Sequence, residues 1–190
     1  CGRLPHAIRA GYKGPIYGTP ATIDLTELIL KDSLKVQTSD LEKLNRMLAR
    51  QGKPSVELSF GKEDVEAVIR QMQPMPYHKK FPITKGMHIT VDEAGHILGS
   101  SSIRLQVREK GKNRNIIFSG DLGGRGMPIV RDPEPFTEAD MLIMETTYGD
   151  RDHKPLGDTL DEAVEIIRNA IKTNGKILVG GASLGNAVLA

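Results

Sequence analysis

The stretch MHITVDEAGHILGSSSIRLQVREKGKNRNIIFSGDLGG, residues 87–124, decides the fold of this chain. Apolar and polar residues alternate over residues 87–92 and again over residues 102–108, which predicts two strands with one apolar face each. A polar turn at residues 110–113 separates the second strand from a third at residues 115–119, and this pattern predicts a β-hairpin.

On the N-terminal side of this stretch the pattern is mainly helical. A short strand is predicted at residues 14–18, followed by a helix with Thr19 as its N-cap and Pro20 as its first residue. The helical spacing of apolar residues continues to a stop at residues 52–54, and a second helix is predicted over residues 62–72.

On the C-terminal side, strands and helices are predicted in alternation. The unbroken apolar run at residues 141–144 is typical of a strand buried on both faces. An amphipathic helix is predicted over residues 159–172, and a further buried strand over residues 176–180. Strands mixed with helices predict a layered α/β fold.

The composition excludes several classes of protein. The 190 residues carry 26 Lys and Arg against 24 Asp and Glu, so any nucleic-acid contact needs a local patch rather than a basic surface overall. The single cysteine excludes a disulfide framework. No apolar run is long enough to span a membrane and no signal peptide opens the sequence, so we expect a cytoplasmic protein. Because the chain begins with Cys1 and stops at Ala190 within an apolar run, we interpret it as part of a longer protein.

Three predicted strand ends carry side chains that bind metals. His96 lies in a glycine-flanked loop after the first strand, Asp121 comes just after the apolar residues 116–118 of the third strand, and Glu145 directly follows the run at residues 141–144. Loops at strand ends are where functional sites are assembled. A histidine with carboxylates suits a divalent ion such as zinc or manganese.

Each of these residues also has an ordinary structural interpretation. Asp121 could form an Asx-turn or cap a helix, and Glu145 could be a solvated strand end. The repetition at three consecutive strand ends favours a site. The remaining histidines have no such context, and we interpret His78, in a lysine-rich loop, and His88, within a strand, as structural or surface residues.

Three sequence strings resemble a known family. They are GHILGS at residues 95–100, FSGDLG at residues 118–123, and ETTYGDR at residues 145–151 followed by His153. In order and spacing they resemble the metallo-β-lactamase superfamily, and more narrowly its β-CASP group of nucleic-acid-processing nucleases. The resemblance extends from Cys1 to about Lys176.

The resemblance implies an architecture and a site. Residues 1–155 would form part of the αββα sandwich of the metallo-β-lactamase core, and residues 156–190 the start of the β-CASP insertion. His96 would bind one of two zinc ions, Asp121 would bridge both, and Glu145 would orient a later histidine that protonates the leaving group. The family's His-x-His-x-Asp-His run would precede Cys1, so we expect residues 1–190 alone to be inactive, to bind the zinc pair weakly and to be only marginally soluble.

The resemblance also implies a function, and two alternative functions remain open. The whole protein would be a dizinc phosphodiesterase that cleaves RNA, with single-stranded DNA as the alternative substrate and a homodimer as an assembly to test. A catalytically silent β-CASP scaffold or nucleic-acid-binding subunit is the first alternative. A nucleotide-binding module using the glycine-rich loop at residues 180–185 is the second, although Asn186 and Ala187 replace the Lys and Ser/Thr that a phosphate-binding loop needs.

A basic cluster on the hairpin is a candidate contact for phosphate groups. It has no interleaved aromatic residues, so base stacking is not predicted, and a merely solvated hairpin is the alternative. The cluster consists of Arg104, Arg108, Lys110, Lys112 and Arg114.

Overall fold

The computed structural model describes residues 1–152 and 154–178. They fall into two compact units, Cys1–Ile143 and Met144–Ala190. The elements of the first unit are α1 (Leu4–Arg9), β1 (Ile16–Gly18), α2 (Pro20–Arg50), α3 (Lys62–Gln71), β2 (Met72–Pro74), β3 (Phe81–Thr84), β4 (Met87–Glu93), β5 (Ser101–Glu109), β6 (Lys112–Phe118) and β7 (Met141–Ile143). The second unit contains α4 (Leu156–Lys172). Among the described residues, no helix combines the length and apolar character needed to span a bilayer.

A five-stranded sheet in the order β3-β4-β5-β6-β7 dominates the first unit. The first three pairs are antiparallel and the pair β6–β7 is parallel, so the sheet is mixed. The predicted hairpin is confirmed as β5–β6, closed by Lys110 and Gly111, both with positive φ as a tight hairpin turn requires. The α/β class is therefore confirmed.

The register of this sheet separates an apolar face from a polar one. Ile89 pairs with Leu105, which pairs with Ile116, and these three form an apolar row across the strands. In the adjacent row Gln106 donates a hydrogen bond to Asn115 across the strands at 3.3 Å. Alternation along each strand therefore places apolar side chains on one face of the sheet and polar side chains on the other, as the sequence pattern predicts.

The helices pack around a second, smaller sheet. β1 and β2 pair in parallel, and a core of Leu30, Phe60, Val65 and Val68 joins α2 and α3. α2 begins at the predicted residue, with Thr19 as N-cap accepting a hydrogen bond from the Thr22 N–H. The short elements α1 and β2 were not predicted, because so few residues carry no periodic signal.

Two predicted strands differ from the structure. Residues 141–143 do form β7, but the prediction that this strand is buried on both faces is wrong, since Leu142 is 47% exposed. The reason is that β7 is the last strand in the sheet order and is hydrogen-bonded to β6 alone among the described strands. The predicted strand at residues 176–180 is also wrong for residues 176–178, which have no strand structure, and its last two residues lie outside the described ones.

The second unit is described by itself. α4 contains the predicted helix and begins three residues earlier, at Leu156. Lys154 donates a hydrogen bond to Glu162 at 2.7 Å, and this ammonium group holds the pKa of the Glu162 carboxyl below its ordinary value. The apolar side chains of α4 are exposed within the described residues.

Candidate active site

The sheet topology brings three strand ends to one edge. β4, β6 and β7 run in the same direction, because β5 is antiparallel to both β4 and β6 while β7 is parallel to β6. His96 follows β4 and Asp121 follows β6, and both side chains are exposed. Glu145 follows β7 in sequence and belongs to the second unit, where its carboxylate accepts a hydrogen bond from the Thr147 hydroxyl at 2.6 Å.

The loops that carry His96 and Asp121 are in backbone contact. The N–H of Gly123 donates to the carbonyl of Ala94 at 2.9 Å. A Cβ atom placed on Gly123 would lie 1.7 Å from the carbonyl oxygen of Gly95, so only a glycine allows this approach. His96 directly follows Gly95, and Asp121 lies two residues before Gly123. The structure thus brings these two predicted site residues onto adjoining loops.

Ser100 closes the His96 loop on itself. Its hydroxyl oxygen accepts hydrogen bonds from the backbone N–H groups of His96 at 3.0 Å and Ile97 at 3.2 Å. Its carbonyl oxygen accepts a hydrogen bond from the hydroxyl of Tyr77 at 2.8 Å. The backbone of His96 is therefore held in one conformation by a neighbouring side chain and indirectly by a distant tyrosine.

The start of α2 also fixes this loop. The hydroxyl groups of Thr19 and Thr22 both donate to the carbonyl of Gly99 at 2.9 Å. Gly99 has φ +82°, and a Cβ atom on it would lie 2.6 Å from the Thr22 nitrogen. The glycine and the two threonines therefore form a matched contact between the helix end and the loop. Sequence analysis had identified Thr19 as a cap but had not predicted this second role.

The Asp121 loop continues directly from β6. The Ser102 hydroxyl donates to the Ser119 carbonyl at 2.7 Å, and both serines are buried. The Ser119 N–H donates to the carbonyl of Ile143 on β7 at 2.9 Å. These bonds extend the strand pairing up to the residue before Gly120, which turns the chain with φ +61°. Asp121 therefore comes shortly after a strand end that is hydrogen-bonded on both sides.

Tyr77 has a perturbed pKa that bears on the stability of the His96 loop. Burial of the phenol raises its pKa, and the nearby Glu93 carboxylate raises it further. Folding thus favours the protonated hydroxyl, which is the form that donates to Ser100. Because the folded-state pKa lies above the unfolded value of about 10, this stabilisation is complete below that pH and is lost as the pH rises through the folded-state pKa.

Replacing Tyr77 with phenylalanine is therefore expected to reduce the alkaline loss of stability. Thermal unfolding measured from neutral pH to above pH ~10 should show a smaller decrease in Tm for Tyr77→Phe than for the unmodified protein. Tyr12→Phe is the matched control, since the exposed Tyr12 hydroxyl donates to the nearby Pro15 carbonyl. An equal alkaline decrease in Tyr77→Phe and the unmodified protein would contradict this role of Tyr77.

Ion pairs occupy part of the basic hairpin cluster. Asp140 accepts hydrogen bonds from the Asn115 N–H at 2.8 Å and from the Arg114 guanidinium at 2.7 Å. The backbone bond and then the guanidinium lower the pKa of Asp140, and the carboxylate in turn raises the pKa of Arg114. Arg104 pairs with Asp92 at 3.4 Å. A phosphate contact by this cluster would therefore rest on its other members, Arg108, Lys110 and Lys112.

Sequence analysis missed one grouping of chemically active residues. The structure brings His78, interpreted above as structural, next to Asp92 and Glu134. No linear signal could have shown this, because the three residues come from separate loops and strands. His153 and the glycine-rich loop at residues 180–185 lie outside the described residues.

Comparison with known proteins finds related nucleases. The chain is 35% identical to Ribonuclease TTHA0252 of Thermus thermophilus over 178 residues, which is 94% of this chain and 36% of that protein. It is 31% identical to Transcription termination factor FttA of Pyrococcus horikoshii over 194 residues, covering 98% of this chain and 27% of that protein. The factor of the same name from Cenarchaeum symbiosum is 29% identical over 189 residues. No protein-family model matches the chain.

These similarities and the mixed α/β fold confirm the resemblance drawn from the three motifs. These homologues are RNA nucleases of the β-CASP group of the metallo-β-lactamase superfamily. The chain spans about a third or less of the length of these relatives, 36% of the Thermus ribonuclease and 27% of the Pyrococcus factor.

Proposed function

We propose that the whole protein containing this chain is a metal-dependent nuclease that cleaves phosphodiester bonds in RNA. The observation that carries this proposal is the contact between the loops of His96 and Asp121 at one edge of the sheet. The names of the similar proteins, a ribonuclease and transcription termination factors, support RNA as the substrate. A cytoplasmic location and a domain boundary between residues 155 and 156 are part of the same proposal.

The donor set fits the binding of zinc. His96 offers an imidazole nitrogen and Asp121 a carboxylate, and both side chains are exposed at the sheet edge, where an ion has access. We propose that His96 binds one zinc ion and that Asp121 bridges two. Bound zinc ions would lower the pKa of a water molecule and attract the phosphate oxygens. Because two protein ligands do not hold a zinc ion, we propose that the remaining ligands lie outside residues 1–190.

The residues of this chain have distinct proposed roles. Asp121 would hold the metals from a position just after a paired strand, where the backbone is fixed through Ser119. The backbone of His96 is held by its hydrogen bond to the Ser100 hydroxyl. Glu145 would accept a hydrogen bond from a later acid and so orient it, as its carboxylate already accepts one from the Thr147 hydroxyl. We infer that Glu145 acts through that acid rather than by binding metal.

The test is cleavage of matched nucleic acids by the whole protein. Labelled single-stranded RNA and DNA of the same base sequence are incubated with zinc-loaded, chelated and zinc-restored protein. We expect the RNA to be cleaved, chelation to abolish cleavage and added zinc to restore it. If the zinc-loaded protein binds RNA without cleaving it, the nuclease proposal is overturned in favour of a silent scaffold. Preferential cleavage of DNA would overturn the substrate assignment alone.

A further inference from the structure

A second group of potential metal ligands contains none of the candidate active-site residues. His78 is in the segment between β2 and β3, Asp92 is near the end of β4, and Glu134 is in the segment between β6 and β7. One ligand atom from each of the three lies within 4.8 Å of the other two. One imidazole and two carboxylates form a set that zinc and manganese bind in proteins.

The burial of the cluster suits an ion that enters from solvent, and the imidazole lies between the two carboxylates. His78 Nδ1 is 3.7 Å from Asp92 Oδ1, and His78 Nε2 is 3.4 Å from Glu134 Oε1. The side chain of Asp92 is only 15% exposed, whereas those of His78 and Glu134 are 57% and 41% exposed. Asp92 is thus the most buried ligand of the cluster, and His78 and Glu134 are accessible from solvent.

Backbone hydrogen bonds position two of these ligands against β4. The His78 N–H donates to the carbonyl of Val91, and the Glu134 N–H donates to the carbonyl of Glu93, both at 2.9 Å. Val91 and Glu93 are the residues on either side of Asp92. The backbones of His78 and Glu134 are therefore both hydrogen-bonded to β4 beside Asp92. This positions the three side chains for one ion before it binds.

The charges in and around the cluster favour the binding of a cation. Arg104 contacts Asp92 through Oδ2 at 3.4 Å, which leaves Oδ1 facing the imidazole. An arginine on one oxygen orients the carboxylate in the way that outer partners orient metal ligands. One guanidinium faces two carboxylates, and a divalent ion would balance the remaining negative charge.

We propose that His78, Asp92 and Glu134 bind one divalent transition-metal ion, zinc or manganese, in a structural site separate from the catalytic metals. Such an ion ties two segments to β4. One carries Tyr77, whose hydroxyl holds the His96 loop through Ser100, and the other continues from the loop of Asp121. The site would therefore support the position of both candidate catalytic loops without taking part in the reaction.

The test counts zinc in the whole protein by emission spectroscopy after dialysis against buffer containing zinc. In an Asp121→Ala background, which removes the proposed catalytic ions, we expect one zinc ion to remain. Adding His78→Gln should remove it and weaken zinc binding in calorimetry by at least about tenfold. Adding His88→Gln instead, as the control, should leave that ion in place, since His88 lies outside the cluster.

Two results would overturn the structural metal site. One is an Asp121→Ala protein with no saturable zinc binding, which would make the cluster an ion-pair bridge only. The other is a His78→Gln protein that keeps the ion. If His78→Gln fails to fold, His78→Cys with Cd²⁺ replaces it, because a cysteine thiolate in the cluster must then give a thiolate-to-cadmium absorption band beyond that of Cys1. Absence of that band also overturns the site.

Discussion

Asp121→Ala in the whole protein is expected to remove the catalytic zinc pair and the nuclease activity together. A bridging carboxylate sets both the separation and the charge balance of two ions, so its loss affects both sites at once. Zinc content by emission spectroscopy should fall by two ions, and cleavage of labelled single-stranded RNA should fall to background. Retention of both ions with the full rate would contradict the role of Asp121.

Glu145→Gln is the matched comparison, because it also removes one carboxylate at a strand end. Since we propose that Glu145 orients an acid, zinc content should stay near normal in this variant. The rate should nevertheless fall by roughly 10²–10⁴-fold, the usual contribution of general acid catalysis. The two variants together separate a metal ligand from a positioning residue, and loss of zinc from Glu145→Gln would show that this separation is wrong.

Gly123→Ala is expected to be the most destabilising small substitution in the site. Its Cβ atom would meet the Gly95 carbonyl oxygen at 1.7 Å, and all three of the nearest atoms are backbone, which cannot rotate away as a side chain can. We expect a loss of about 3 kcal/mol in the free energy of unfolding, at the upper end for overpacking. For a chain of this length that corresponds to a decrease in Tm of roughly 6–12 °C.

Gly124→Ala is the control for this prediction. Nothing lies within 4 Å of a Cβ atom built on Gly124, so an alanine there should leave Tm nearly unchanged. Thermal unfolding followed by circular dichroism measures both variants under the same conditions. Equal Tm values for the two variants would show that the loops of His96 and Asp121 are not in the close contact described here.

The elements around the site were largely predictable from sequence. Alternation over residues 87–92 and 102–108 predicted β4 and β5, because a strand with one apolar face repeats every two residues. Lys110 and Gly111 marked the hairpin turn. Thr19 and Pro20 marked the start of α2, because capping depends on neighbouring residues alone.

The exposure of β7 could not be predicted in this way. Its apolar run is typical of a strand with neighbours on both faces, but burial depends on what packs against a strand rather than on its own residues. The position of the strand in the sheet, at its edge, decided the outcome. The same limit applies to α4, whose apolar spacing predicted a helix but not which surface would cover it.

By itself, the sequence determined strands β4, β5 and β6 with their hairpin turn, and it marked His96 and Asp121 as candidate site residues, since motif and period are properties of consecutive residues. Only the tertiary structure decided that Gly123 packs on Gly95, and that His78, Asp92 and Glu134 converge. These contacts join residues far apart in the chain. Their physical basis is the strand order and the backbone hydrogen bonds between loops, which no local pattern encodes.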